Sequence, residues 1–146
     1  MLCLNIYKCF LIRWWNNERI ILFDGVCNLC NSSVQFIIKR DPTGKFKFSS
    51  LQGDAGQKLL KKHGISTDIN SFVLIENEKI YMKSNAALCV GKQLNGAWKL
   101  APVFFIIPRI IRDYLYDIIA KNRYKWFGKK ESCMLPSPTW KNRFLE

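Results

Sequence analysis

The spacing of apolar positions changes several times along this chain, and each change marks an element. Residues 19–23 read RIILF, and the unbroken apolar run after Arg19 predicts a strand buried on both faces, central in a helix-covered sheet. Asp24-Gly25 then supplies turn chemistry. From about Asn28 to Arg40 the spacing becomes helical, with Cys30, Val34, Ile37 and Ile38 on one buried stripe. Lys39 and Arg40 complement the dipole of its last turn, and Asp41-Pro42 ends it.

Strict alternation follows in KFKFSSL, where Phe46 and Phe48 face one way and Lys45 and Lys47 the other, so a second strand is expected. Asp54 and Gln57 have capping-box spacing and open a second helix, which Gly64 closes. SFVLIE (71–76) and KIYMK (79–83) read as strands joined by the two-residue connection Asn77-Glu78. Ser84 is placed to cap a third helix, NAALCVGKQL, stopping near Gly96. The order is βαβ, then a hairpin, then a helix. Residues 101–128 are apolar but interrupted by Pro108, Arg109 and Arg112. They suggest a helical hairpin packed on the sheet, with a basic amphipathic segment lying on a membrane as the alternative.

Length and composition fit one ordinary globular domain: 146 residues, 49% hydrophobic and 23% charged. Charge changes the picture, because 23 Lys+Arg against 11 Asp+Glu leave +12. That balance favours acidic partners, but no recognition motif accompanies it, so specific nucleic-acid binding is not expected. The segment MLCLNIYKCFLIRWW is broken by Lys8 and Arg13 and lacks the layout of a spanning helix or a signal peptide. Residues 1–18 are therefore expected to be an extension outside the fold, and 19–146 the domain.

Six cysteines are present, at 3, 9, 27, 30, 89 and 133, and only Cys27 and Cys30 form a local pair. Scattered thiols in a full-sized core suit a reducing compartment, so a cytoplasmic location, with membrane association as a variant, is expected. A strand–turn–helix layout places Cys27 at a helix N-terminus, where orphan N–H groups and the dipole favour a thiolate. Cys30 follows one turn later. The expected roles are Cys27 exposed and attacking, Cys30 buried and resolving. Two other readings stay open. A zinc site would need ligands beyond this pair, and His63 is the single histidine. A pair of inert structural thiols is the second.

DGVCNLC matches the Asp-x-x-Cys-x-x-Cys signature of the DCC family, and this chain resembles the small bacterial members from about Ile20 to Phe144, through FIIKRD, SFVLIE and AKNRYKWFGKKESCMLP. The resemblance implies an α/β thioredoxin-like fold: a central four-stranded mixed sheet flanked by helices, with an additional helical C-terminal segment. It also implies thiol-disulfide exchange, with Cys27 and Cys30 as the dithiol and Asp24 as the signature acid. No cofactor or bound metal is called for. The implied partners are a protein or small-molecule thiol or disulfide and a redox partner that recycles the dithiol. Val26 stands where thioredoxins carry Trp, Asn28-Leu29 replaces Gly-Pro, and Asn70-Ser71-Phe72 lacks their cis proline. These departures weaken any reading as a general protein reductase and keep metal capture by the dithiol open.

Asp24 is expected either to accept and return the Cys30 proton or to act as an Asx-turn residue at the strand end. Cys89 reads as core, and Cys133 as either a third redox thiol or an inert one. In NRYKWFGKK, aromatics alternate with cations, which suits either docking of a C-terminal helix with solvated basic groups or stacking on nucleotides. The competing functional class is a non-catalytic module that docks on a membrane or a protein through its basic, aromatic C-terminal region.

Overall fold

A computed structural model describes residues 19–69, 71–129 and 140–145. The expectations for the 1–18 extension, for Cys3 and Cys9, for Asn70 and for Cys133 lie outside these residues. The elements are β1 (Arg19–Phe23), α1 (Asn28–Arg40), β2 (Phe46–Ser50), α2 (Asp54–Lys62), β3 (Val73–Glu76), β4 (Lys79–Met82) and α3 (Lys83–Gly91). A 3₁₀ segment (Ala97–Ile106), α4 (Arg109–Phe127) and a short 3₁₀ turn (Lys141–Arg143) follow.

The sheet runs β2-β1-β3-β4, with β1 parallel to β2 and antiparallel to β3. This is the mixed four-stranded sheet of an α/β thioredoxin-like fold. Alternation along β1 explains its unbroken apolar run. Ile21 and Phe23 join Val34, Phe46, Phe48 and Leu74 beneath α1 and α3, while Ile20 and Leu22 join Leu60, Val73 and Ile75 beneath α2. The β3–β4 hairpin turns on Asn77 and Glu78, both at positive φ (51° and 67°), the conformation a two-residue turn requires to match strand twist. Residues 140–145 return to β2: the Leu145 N–H donates to the Phe48 carbonyl at 2.8 Å, and Arg143 clasps buried Asp41 at 2.5 Å.

Four local expectations are corrected. Asp54 is the first residue of α2 and Gly53 its N-cap, so no capping box forms; the Gln57 amide instead donates to the Leu51 carbonyl at 2.6 Å. Ser84 lies inside α3, and its hydroxyl donates to the Asp113 carboxylate rather than to its own helix. The third helix stops at Gly91 rather than near Gly96. A Cβ at Gly91 would sit 3.0 Å from that of Ala101, so the small residue admits the 3₁₀ segment.

The region 101–128 forms no α-helical hairpin on the sheet. Its first arm is a 3₁₀ run containing Pro102, α4 begins after Pro108, and both pack against helices α3 and α1. Two prolines six residues apart deny the first arm the continuous N–H supply of an α-helix.

Candidate active site

Cys27 is the N-cap of α1, with extended backbone (φ −85°, ψ 123°), and its Sγ accepts the N–H of Cys30 at 3.3 Å. A sulfur in this place receives one of the helix's orphan donors and sits at the positive end of its dipole. The two thiols lie within hydrogen-bonding reach of each other. Burial, the hydrogen bond to Cys27 and the charge of Cys27 together push the Cys30 thiol up to about 12. Cys30 therefore keeps its proton throughout the neutral range.

The expected exposures are reversed. Cys27 is fully buried, whereas Cys30 is half-buried and stands off the stripe formed by Asn31, Val34, Ile37 and Ile38. A strap from the far end of the chain causes this. The Asn28 N–H donates to the Gly128 carbonyl at 3.3 Å, the Asn28 amide donates to the Phe127 carbonyl at 2.9 Å, and Cys27 forms an isolated antiparallel bridge with Lys129. Helical periodicity around residue 30 carries no information about a cover supplied a hundred residues later.

Asp24 is buried at the end of β1, and both its oxygens are engaged. Oδ1 accepts from the Val26 N–H at 3.1 Å and the Gln52 amide at 2.7 Å. Oδ2 accepts from the Arg123 guanidinium at 2.9 Å and from the Tyr124 hydroxyl. Burial alone would raise this carboxyl; the bonds from Tyr124, Gln52 and Val26 and the charge of Arg123 outweigh it and hold the group below its ordinary range. The Asx turn expected at the strand end is present in the Val26 contact, within a wider network.

Gln52, Arg123 and Tyr124 are the residues sequence reasoning missed. NRYKWFGKK reads as a docking helix with solvated cations, yet Arg123 is buried and ion-paired with Asp24. The available signal was an aspartate ending a strand buried on both faces, which needs a cation from elsewhere.

Cys30 and Arg123 also line an apolar pocket of about 590 Å³ between α1, α3, α4 and the 3₁₀ segment, walled by Leu29, Phe36, Phe72, Leu94, Trp98 and Ile119. Tyr116 lines it as well and accepts the Phe72 N–H at 2.9 Å. Cys89 is buried in the core on α3, where burial pushes its thiol up. His63 caps the C-terminus of α2. Among the described residues, no three His, Cys, Asp or Glu side chains converge to hold a metal ion.

Residues 21–129 match the DCC1-like thiol-disulfide oxidoreductase family. The chain is 60% identical over 129 residues to the uncharacterised protein YuxK of Bacillus subtilis (strain 168), covering 88% of this chain and 94% of that one. It is 44% identical over 122 residues to a chloroplastic DCC family protein of Arabidopsis thaliana, covering 82% and 71%. No solved structure gives a significant match. This chain is a member of the DCC1-like thiol-disulfide oxidoreductase family.

Proposed function

We propose that the protein exchanges thiols and disulfides through Cys27 and Cys30. The carrying observation is the Cys27 sulfur at the start of α1, accepting the Cys30 N–H beside a neighbouring thiol that keeps its proton. In the reducing direction, the Cys27 thiolate attacks one sulfur of a substrate disulfide, a mixed disulfide forms, and the other substrate sulfur leaves as a thiolate. Cys30 then gives up its proton and attacks Cys27 Sγ. The Cys27–Cys30 bond forms, the second substrate sulfur departs and takes up that proton as a thiol, and two electrons have passed to the substrate. The reverse sequence oxidises a substrate dithiol.

Two features condition this chemistry. The strap at Gly128-Lys129 covers Cys27, so it must lift before a substrate sulfur can approach in line; Gly128, at φ 86°, is a suitable hinge. The pocket beside Cys30 receives an apolar group of the substrate and orients its disulfide. Asp24 is assigned a positioning role in preference to carrying the Cys30 proton. Its oxygens are already committed, and a carboxyl held low is a weak base.

The test is a dithiol/disulfide redox titration with mass-spectrometric mapping. Reversible bridging of Cys27 to Cys30, with a potential between about −270 and −120 mV, is the expected result. Exchange activity that survives Cys27→Ser would rule the reading out.

A further inference from the structure

The large apolar side chains left in solvent are not scattered. Fifteen are exposed among the described residues, and all fifteen lie between Trp98 and Phe127. Ile111, Leu115 and Ile119 repeat at helical spacing along the outer side of α4, with Ile110 and Tyr114 beside them. The 3₁₀ segment continues the face through Val103, Phe104 and Ile106. Ile106 and Ile110, flanking Pro108, are the most open, at 83% and 85% exposed. A continuous face of this extent, confined to one segment, marks an interaction surface.

Charge identifies the occupant. Residues 97–129 contain seven Lys or Arg and only Asp113 and Asp117 as acids. Both acids are already engaged, Asp113 by Arg109 and Ser84, Asp117 by Lys83 at 3.1 Å. The segment therefore keeps exposed cations at Lys99, Lys121 and Lys125, and it also exposes Trp98, Tyr114 and Trp126, whose amphipathic rings suit the headgroup level. A second copy is disfavoured as the cover, because each chain carries +12 and a symmetric contact would set like-charged rims against each other.

We propose that residues 97–127 seat the protein on an anionic lipid bilayer, with α4 and the 3₁₀ segment lying in the interface plane. Among the described residues, no helix is long and apolar enough to cross a membrane, so the contact is peripheral. Trp98 and Ile119 belong both to this face and to the pocket beside Cys30, so the mouth of the pocket opens at the edge of the seat.

Flotation of the full chain with two kinds of vesicle tests this, phosphatidylcholine alone and phosphatidylcholine mixed equally with phosphatidylglycerol. The protein is expected to float with the mixed vesicles, to show a blue-shifted tryptophan emission, and to be released by added salt. Lys121→Gln with Lys125→Gln should weaken partitioning about tenfold or more. Ile106→Ser with Ile110→Ser should weaken it by a similar factor, with thermal melting unchanged because both side chains are already in solvent. Failure to float with the mixed vesicles overturns the proposal. If sedimentation then shows a dimer dispersed by the Ile106/Ile110 double variant, the face belongs to a second copy instead. Equal binding to both vesicle types would overturn the electrostatic half.

Discussion

Isoleucine is used in two opposite ways in this molecule. In β1, Ile20 and Ile21 are buried on opposite faces of a central strand, each among side chains from a different layer. In the 97–127 region, Ile106, Ile110 and Ile111 face solvent, and the buried residues there are Ala101 and Arg123. Hydropathy treats the two segments alike. What separates them is the number of layers above each: β1 lies between two, whereas α4 lies outside the last one and sends a single charged side chain inward. The sheet thus supplies stability, and the outer segment supplies the site's missing cation, the strap over Cys27 and one wall of the pocket.

Substitutions can break this contrast at several strengths. The largest structural effect is expected for Arg123→Met, which leaves Asp24 buried without its cation. A loss of about 3–5 kcal/mol in denaturant unfolding would place α4's contribution on a par with the core. Ile21→Ala should cost about 2–5 kcal/mol by the same measurement, whereas Ile110→Ala should stay within about 0.5 kcal/mol. Equal costs for the two isoleucines would erase the distinction between the regions.

Acid unfolding sharpens it from another side. The native Asp24 carboxyl titrates below 3.8, its ordinary value. A depressed native value means the contribution is complete above the unfolded value and is lost as pH falls through the native one. Asp24→Asn should therefore flatten the stability profile below about pH 4 while lowering stability near neutrality. A profile that keeps its acid slope in that variant would show that other carboxylates dominate.

Gly56→Ala probes the buried side alone. A Cβ there would fall 2.1 Å from the Ser50 carbonyl oxygen, so α2 would have to move off β2, at a cost of about 1–3 kcal/mol in chemical denaturation. Tyr124→Phe removes one of four donors to Asp24 and should cost less again, about 1 kcal/mol.

Where the sequence was legible, the reason is local. β1 and α1 fall at 19–23 and 28–40 as their apolar spacing predicts, because one strand and one helix each carry their own period and their own stop signals. The hairpin at Asn77-Glu78 is equally local. What could not be read depends on contacts about a hundred residues apart. The Asp24–Arg123 pair, the Cys27–Lys129 bridge and the reversed exposures of the two cysteines arise from where α4 ends, and no window around residue 27 contains that information. A shorter separation, 29 residues, hid Asp113 as the partner of Ser84, whereas the 3₁₀ run that replaces the expected helical hairpin follows from the local prolines Pro102 and Pro108.

In the proposed exchange Cys27 attacks and Cys30 resolves, although Cys30 is the more exposed of the two. Trapping of mixed disulfides addresses it directly: each single Cys→Ser variant is incubated with a disulfide substrate and mapped by mass spectrometry. A stable adduct is expected on Cys27 in the Cys30→Ser protein and none on Cys30 in the Cys27→Ser protein. An adduct forming on Cys30 while Cys27 stays unmodified would contradict it.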